Sequence, residues 1–283
     1  MNVEDVMTSS EDVVTVEVPG TRDDALEYLQ EREFSSVPAV KDTDNGEQFR
    51  GIVSRSSLIK RPDEDQLALL AEDVPSAAAE ESVSTVADRM LSESERRVPV
   101  LDDEAFVGIV TITDIVRAIA RGAVDDGIEV SSVAGETVNC VYSETPLHVA
   151  ERELAHASVP YGVVLDDDGE MTGMLTEVDI IEVARVVEGE EDVGESIANQ
   201  DDEWAWEGIK AVGNSYMPTR NVEIPNGPVE AFMTDDIISV SNRRPVCEAA
   251  QLMIEHDIEQ IPIASGGRLA GIVQDMDLLE AIR

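Results

Sequence analysis

The sequence predicts an α/β (α+β) fold built from four βαββα repeats. The first observation is residues 108–114, Gly-Ile-Val-Thr-Ile-Thr-Asp, in which a short apolar run ends in Thr and an Asp follows three residues later. This pattern is typical of a strand that runs into a helix. Similar segments recur at residues 51–57, 173–179 and 271–277. The second observation is an apolar strand ahead of each of these segments, and the third is an amphipathic helix that follows that strand. Because the same set occurs four times, the chain is interpreted as a fourfold repeat.

The first two elements of each repeat are a short strand and a helix. Apolar runs predict the strand at residues 13–16, 77–79, 138–141 and 237–240, with the second of these degraded. In the first repeat the helix is predicted over residues 21–32. In the others, apolar residues at helical spacing predict the buried helix face. These are Val83, Val86, Ala87 and Met90, then Leu147, Ala150 and Leu154, then Val246, Ala249, Ala250 and Met253.

A hairpin and a closing helix complete each repeat. The hairpin strands are predicted at residues 37–40 with 51–53, 98–101 with 106–110, and 261–263 with 269–273. Turns at Asn45-Gly46, Asp168-Gly169 and Gly266-Gly267 fit these hairpins. The third repeat leaves one strand ambiguous. Val159-Pro160 resembles Val98-Pro99, whereas counting from the helix start aligns Gly162 with Pro99, implies one deleted residue, and makes residues 163–165 the strand.

These elements predict the division of the chain. The repeats are assigned to residues 1–61, 70–122, 129–187 and 229–283. Residues 188–228, which include Trp204 and Trp206, are predicted to be a linker or arm: either a packing arm over one pair of repeats, or a lid or partner-docking segment.

The charge of the chain is strongly acidic. With 20 basic and 61 acidic residues spread along its 283 residues, its formal net charge is −41. This uniform excess resembles the surfaces of halophilic archaeal proteins, whose self-repulsion is screened by salt. An acidic interaction face is the alternative, although it explains a local run better than a uniform one. The scarcity of clustered basic residues argues against a nucleic-acid partner.

Cysteine, histidine and targeting signals are uninformative about chemistry. Cys140 and Cys247 lack metal-ligand spacing with each other or with the three histidines, and both are interpreted as reduced core residues. No metal site is predicted. The lack of a signal-like N-terminus or a long apolar run predicts a soluble, cytoplasmic protein that has no membrane partner.

The repeat, with its Val-Pro-Val strand and its Gly-Ile-Val-Thr-x-x-Asp segment, resembles the CBS (cystathionine-β-synthase) domain. The resemblance covers nearly all of the chain outside residues 188–228. It implies two pseudo-twofold modules, repeat one with two and repeat three with four, each with clefts for adenosine-type ligands. A chain of four such repeats is similar to archaeal stand-alone CBS proteins and to the nucleotide-sensing subunit of the AMP-activated kinase. The family also implies a monomeric disc, or a homodimer as second choice.

Two segments carry the full Thr-x-x-Asp pattern: Thr111 with Asp114, and Thr176 with Asp179. Unpaired N–H groups at a helix start favour a phosphate or ribose oxygen, and an ionised carboxylate accepts hydrogen bonds from ribose hydroxyls. In the family the matching positions bind a nucleoside. The alternative is a local helix cap worth about 1 kcal/mol, and both roles can coexist.

The other two copies depart from the pattern. In repeat one Ser54 keeps the hydroxyl but Ser57 replaces the carboxylate, so a ribose site is doubtful there. In repeat four Asp277 keeps the carboxylate but Gln274 replaces the hydroxyl. Fewer than four occupied sites are therefore expected.

A phosphorylated ligand also needs positive charge. Arg96 and Arg97 stand just before Val98-Pro99, and in the family the residue that precedes this strand faces the cleft, where a guanidinium suits phosphate. The alternative is a solvated pair that balances Glu93 and Glu95. Val98 and Ile261 are candidate adenine walls, although both are foremost core residues.

The sequence therefore predicts a non-enzymatic regulatory protein that binds AMP, ADP or ATP between paired repeats and signals to an unidentified partner protein. No cofactor is expected. The alternatives are a sensor of S-adenosylmethionine or methylthioadenosine, and a ligand-free interaction scaffold. An enzyme is disfavoured because no set of nucleophile, base and oxyanion donors is evident, and no phosphate loop occurs.

Overall fold

The computed structural model describes residues 1–31, 36–43, 46–54, 57–58, 61, 64–135, 137–188, 220–265 and 268–283. Trp204 and Trp206 of the predicted arm, Asn45 of the predicted turn Asn45-Gly46, and the predicted turn at Gly266-Gly267 lie outside these residues.

The described strands and helices follow one another along the chain. The strands are β1 (Thr8–Ser9), β2 (Val16–Glu17), β3 (Ser36–Thr43), β4 (Gly46–Ser54), β5 (Arg97–Asp102), β6 (Ala105–Thr111), β7 (Cys140–Tyr142), β8 (Tyr161–Leu165), β9 (Met171–Thr176), β10 (Arg185–Glu188), β11 (Arg220–Glu223), β12 (Gln260–Ser265) and β13 (Arg268–Gln274). The α-helices are α1 (Arg22–Glu31), α2 (Leu67–Leu70), α3 (Val83–Glu93), α4 (Ile112–Ala120), α5 (Leu147–Ala157), α6 (Glu177–Val183), α7 (Val246–His256) and α8 (Asp275–Leu278). Short 3-10 helices lie at Val3–Asp5, Ser10–Asp12, Val130–Ser132, Val229–Ala231 and Leu279–Ala281.

Repeats one and two share one sheet with the strand order β1-β6-β4-β3-β2, and β5 pairs with β6. The hairpins β3–β4 and β5–β6 are antiparallel. Their register places Ser36 opposite Ser54 and Arg97 opposite Thr111. The first residue of one hairpin strand therefore lies beside the point where the other strand enters its helix.

The residues ahead of the first strand of each repeat, called its lead segment here, pair with the last strand of another repeat. In repeat one, Thr8 lies opposite Ile109 of β6. The corresponding bridges in the other repeats join Glu72 to Ile52, Gly135 to Ile272, and Thr234 to Met174. Repeats one and two thus exchange lead segments, and so do repeats three and four.

The chain divides into two compact units. The first consists of Met1–Glu136, Ile238–Ser265 and Ala270–Arg283, so it holds repeats one and two with most of repeat four. Its largest core joins α4 to α7, because Ile112, Ile115 and Ile119 belong to the same buried cluster as Ala249 and Met253. The boundary between the units therefore differs from the boundary between the modules expected from chain order.

A smaller core of the first unit lies between repeats one and two. Val40, Ile52, Phe106 and Ile109 are buried together there, and the rings of Phe49 and Phe106 stack with their centroids 6.0 Å apart. This core fixes the two hairpins against each other.

The second unit consists of Thr137–Ile237 and Gly266–Leu269. Its three-stranded sheet has the order β7-β8-β9, with β7 parallel and β9 antiparallel to β8. Helix α5 covers this sheet through Leu147, Ala150 and Leu154. A separate pair, β10 and β11, flanks the segment that is not described.

The predicted helix faces are confirmed. Every residue assigned to the buried side of α3, α5 and α7 is at most 3% exposed. Ser82 caps the start of α3, where its Oγ accepts a hydrogen bond from Thr85 N at 3.1 Å, and a residue in the left-handed region follows each of these helices. The turn at Gly169, with φ of +72°, is also as predicted.

The first strands are shorter than predicted. In repeat one only Val16 and Glu17 form a strand, which pairs with Ala39 and Val40 of β3. In repeats two and four the predicted strands reduce to single bridges, Ala77 with Val100 and Val240 with Ile263. In these repeats the first segment pairs with the edge of the sheet over only one or two residues, so it does not form the longer strand that the apolar run predicts.

Both alignments of the third hairpin are wrong by their register. Gly162 pairs with Leu175 in repeat three just as Val98 pairs with Val110 in repeat two. The next residue, Val163, is therefore the counterpart of Pro99. Helices α3, α5 and α7 have the same length of 11 residues, and a residue with positive φ follows each at the same spacing from the next strand. No residue is deleted in repeat three.

The interpretation of the cysteines as core residues is also wrong. Cys140 begins the short strand β7 and is exposed, and Cys247, the second residue of α7, is half-buried. Both are free thiols.

Candidate ligand-binding cleft

Helix α4 begins directly after β6, and Thr111 forms the strand-to-helix junction of repeat two. Thr111 N and Oγ1 donate hydrogen bonds to Asp114 Oδ2 at 2.9 and 2.7 Å, and Thr111 Oγ1 accepts one from Asp114 N at 3.4 Å. This is a reciprocal helix cap. Asp114 Oδ1 accepts a further bond from Arg117 Nη1 at 3.0 Å, and the Asp114 side chain is only 7% exposed. Since a carboxylate offers about four acceptor sites, the cap leaves capacity for a ligand.

The junctions of repeats three and four have the same cap. Thr176 N and Oγ1 each donate to Asp179 Oδ2 at 2.7 Å, and Asp179 Oδ1 accepts from Thr234 Oγ1 at 3.1 Å. In repeat four, Gln274 N donates to Asp277 Oδ2 at 2.8 Å. The predicted pairs are thus brought together in these repeats, and Gln274 N makes the same backbone bond as Thr111 N and Thr176 N.

The junction of repeat one uses serines for the same purpose. Ser54 N donates to Ser57 Oγ at 2.9 Å, and Ser57 N donates to Ser54 Oγ at 3.0 Å. Ser57 is fully buried. A hydroxyl can therefore replace the carboxylate in the cap, although it offers fewer acceptor sites to a ribose.

A cleft of about 350 Å³ opens between repeats one and two, at the junction of repeat two. Its volume falls at the lower end of the range of about 300 to 1,000 Å³ typical of ligand pockets. The cleft joins parts of both repeats: the lead segment and first strand region of repeat one, the start of β3, and the facing ends of β5 and β6. Its lining residues are Thr8, Asp12, Val13, Val14, Ser36, Val37, Pro38, Arg97, Ile109 and Thr111.

Arg97 supplies the positive charge of this cleft. Its guanidinium donates a hydrogen bond to Ser36 Oγ across the space between β5 and β3. Burial lowers the pKa of Arg97, and the neighbouring Arg96 lowers it further, while Glu95 and Glu259 oppose the shift. A guanidinium remains charged under all ordinary conditions, so Arg97 presents a cation that is poorly hydrated and suited to an anion.

Arg96 lies in a different environment from Arg97. Its Nη atoms form a bidentate ion pair with Asp275, at 3.2 and 2.5 Å, and Nη2 lies 3.0 Å from Glu259 Oε1. The structure therefore places Arg96 in a link between repeats two and four.

Of the predicted ligand contacts, Thr111 and Arg97 line the cleft together, and Asp114 is bonded to Thr111 from the helix side. Val98 and Ile261 are fully buried in the core of the first unit. The apolar wall consists instead of residues from repeat one that sequence reasoning missed, such as Val13 and Val14. Ser36 was detectable, because it precedes Val37-Pro38 just as Arg97 precedes Val98-Pro99.

Among the residues that the structure describes, no cluster of His, Cys, Asp and Glu has the geometry of a metal site. None of the described helices has the length and apolar character needed to span a membrane.

Two archaeal relatives align with nearly the whole chain. The uncharacterized protein MJ1404 of Methanocaldococcus jannaschii is 24% identical over 281 residues, which cover 99% of this chain and 61% of that protein. MJ1225 of the same organism is 21% identical over 290 residues, which cover 95% of this chain and 94% of that protein. The chain thus spans about three fifths of the length of MJ1404.

Two solved structures share the fold over 100% of both chains. One is an uncharacterized conserved protein from Pyrococcus horikoshii, with a TM-score of 0.69 and 25% identity. The other is MJ1225, a proposed archaeal homolog of g-AMPK, with a TM-score of 0.66 and 16% identity. The family model of the CBS domain matches residues 3–64, 68–121, 130–185 and 229–283. Four matches that cover most of the sequence show that this chain belongs to the CBS-domain family.

Proposed function

We propose that this chain is a non-enzymatic regulatory protein that binds an adenine nucleotide (AMP, ADP or ATP) in the cleft between repeats one and two. CBS-domain proteins are in general regulatory, and the comparisons indicate no catalytic family. The observation that carries the proposal is the cleft itself, which places Arg97, the capped start of α4 and an apolar wall around one space of about 350 Å³.

Each part of a nucleotide has a partner of matching chemistry there. The valines of the wall, Val13 and Val14, suit the apolar faces of a purine. The Asp114 carboxylate, which is bonded to Thr111 of the lining and keeps about one acceptor site beside its three bonds, suits a ribose hydroxyl. The Arg97 guanidinium suits a phosphate.

Binding regulates a partner only if the nucleotide favours one arrangement of the protein over another. The ligand can shift that equilibrium by no more than its difference in affinity for the two arrangements. The cleft draws its walls from both repeats, so a ligand that fills it ties them together. Recognition of an unidentified partner protein would follow from that change.

A second candidate is a sensor of S-adenosylmethionine. Asp12 lies in the same lining as Arg97, so two charged side chains of opposite sign line the described part of the cleft. Such a pair also suits a ligand whose tail carries both a cation and a carboxylate.

A thermal-shift titration in molar KCl tests the proposal. The compounds are AMP, ADP, ATP, S-adenosylmethionine and methylthioadenosine, and a ligand at about 100 times its Kd should add about 2.7 kcal/mol to the free energy of unfolding. The variants are Arg97→Gln and, as a matched control on exposed surface, Arg121→Gln. If AMP raises the melting temperature of the unchanged protein and of Arg121→Gln but not that of Arg97→Gln, an adenine nucleotide is supported as the ligand. A shift with S-adenosylmethionine alone supports the second candidate, and no shift at millimolar concentration would leave the junctions as helix caps only.

A further inference from the structure

The residue three positions after the junction acid differs in charge among the repeats. It is Arg117 in repeat two, Glu182 in repeat three and Glu280 in repeat four. By sequence Lys60 takes this place in repeat one, outside the described residues. Residues three apart on a helix are neighbours, so this position acts directly on the junction acid.

In repeat two this neighbour neutralises a buried carboxylate. Arg117 Nη1 lies 3.0 Å from Asp114 Oδ1, and the Arg117 side chain is 41% exposed while Asp114 is 7% exposed. The cation therefore stands on the solvent side and the acid on the inner side.

Among the described residues, the contacts of the other two acids include no such cation. In repeat three the second oxygen of Asp179 accepts from a neutral donor, Thr234 Oγ1, and Glu182 is exposed. In repeat four, burial raises the pKa of Asp277, and Asp275 and Glu280 raise it in the same direction against the bond from Gln274. Both junctions are therefore more negative than that of repeat two.

A second position shows the same difference. Arg97 is the first residue of β5, and the first residues of the equivalent strands β3, β8 and β12 are Ser36, Tyr161 and Gln260. Among these four positions the cation belongs to repeat two. Arg97 lies opposite Thr111 in the sheet and Arg117 pairs with Asp114, so two cations flank one junction.

We propose that Arg117 is a positioning residue that acts through Asp114 and sets the charge of the ligand each junction accepts. The repeat-two junction takes an adenosine derivative with an anionic tail, whereas the junctions of repeats three and four take derivatives with neutral or cationic tails. The physical reason is that an uncompensated carboxylate repels an anionic ligand strongly where water is partly excluded. This inference rests on the proposed function and adds the ligand class.

The test compares AMP with methylthioadenosine by calorimetric titration, at the lowest KCl concentration at which the unchanged protein keeps its melting transition. Low salt is chosen because ions screen the effect. Arg117→Glu copies the residue of repeats three and four, Arg117→Lys keeps the charge, and Arg121→Glu makes the same charge change at the exposed end of the same helix. The melting temperature without ligand is recorded for each variant.

Arg117→Glu is expected to weaken AMP binding about tenfold and methylthioadenosine binding less than about twofold, since only AMP carries the repelled charge. In Arg117→Lys the Kd of each ligand should stay within about threefold of its value in the unchanged protein. In Arg121→Glu the Kd of each ligand should stay unchanged. If Arg117→Glu weakens the binding of both ligands equally, or leaves the affinity for AMP unchanged, the inference is overturned while the proposed function stands. If the unchanged protein binds neither compound, the proposed function fails as well.

Discussion

The carbonyl oxygen of Thr8 lies so close to Gly108 that a Cβ built on Gly108 would stand 2.5 Å from it. The same relationship recurs between the motif glycine of each repeat and a lead-segment carbonyl. The corresponding distances are 2.8 Å from Gly51 to Glu72, 2.9 Å from Gly173 to Thr234 and 3.1 Å from Gly271 to Gly135. The glycine that opens the recurring segment is therefore explained by the exchange of lead segments, which brings a second backbone against the strand.

Gly108→Ala should accordingly destabilise the protein by about 1 to 3 kcal/mol, because the new methyl group forces the Thr8 backbone away from β6. Urea unfolding in molar KCl measures the change. Gly127→Ala is the matched control, since the Cβ there would meet only the side chain of Asp125. Equal stability of the two variants would contradict the account.

Asp114→Ser should separate the helix cap from the ligand site. Ser57 already performs the cap in repeat one, so a serine at position 114 is expected to keep the junction folded. The loss should be limited to the ion pair with Arg117, about 1 kcal/mol or less, whereas Asp114→Ala should lose a further 1 kcal/mol or so with the cap.

Nucleotide binding should fall alike in both variants, since neither retains the carboxylate. Melting temperatures with and without AMP provide the comparison. A serine variant that binds AMP as tightly as the unchanged protein would show that the carboxylate is not a ligand contact.

Arg96→Ala should be more destabilising than the loss of an ordinary surface ion pair. Its partner Asp275 has a side chain only 10% exposed, and breaking a buried pair costs about 3 to 5 kcal/mol. Because the Arg96 side chain is itself 40% exposed, solvent screening reduces the expectation to about 1 to 3 kcal/mol.

The control for this variant is Arg244→Ala. Arg244 pairs with Glu248 at 3.2 Å in a more exposed setting, and its loss should cost less than about 0.5 kcal/mol. Chemical unfolding measures the free energy of unfolding of both variants. Equal decreases in the two would mean that the Arg96 pair contributes no more to stability than an exposed ion pair.

Asp277→Asn should raise the melting temperature near neutral pH. Burial raises the pKa of Asp277 above its ordinary value of 3.8, with further increases from Asp275 and Glu280. A carboxyl whose pKa is higher in the folded state favours folding below the unfolded pKa, and this contribution is lost as the pH rises through the folded pKa. The amide of the variant has no charge but still accepts a hydrogen bond from Gln274 N. The variant therefore does not lose that contribution to stability when the pH rises.

The difference in melting temperature between Asp277→Asn and the unchanged protein should therefore grow from about pH 4 to about pH 7. Asp73→Asn removes the same charge from an exposed position and controls for the net charge of the chain. A difference that is independent of pH, or equal in the two variants, would argue against the role of burial.

Much of the fold was predictable because apolar periodicity records which face of each helix is buried, as at Val83, Val86 and Met90. The junction pairs were predictable because Thr111 and Asp114 are close in sequence. The cleft lining was not, since Val13, Val14 and Arg97 meet only after two repeats share a sheet. Likewise, the partner of Arg96 lies 179 residues away in sequence, and no local pattern indicates it.

The exchange of lead segments also limits how such a chain can change its length in evolution. A repeat that is copied or deleted alone would leave one last strand uncovered, as β6 would be without Thr8, and one lead segment without a strand to pair with. Uncovered strand edges pair with other chains and promote aggregation. Selection should therefore remove single gains and losses, so that repeats are inherited two at a time.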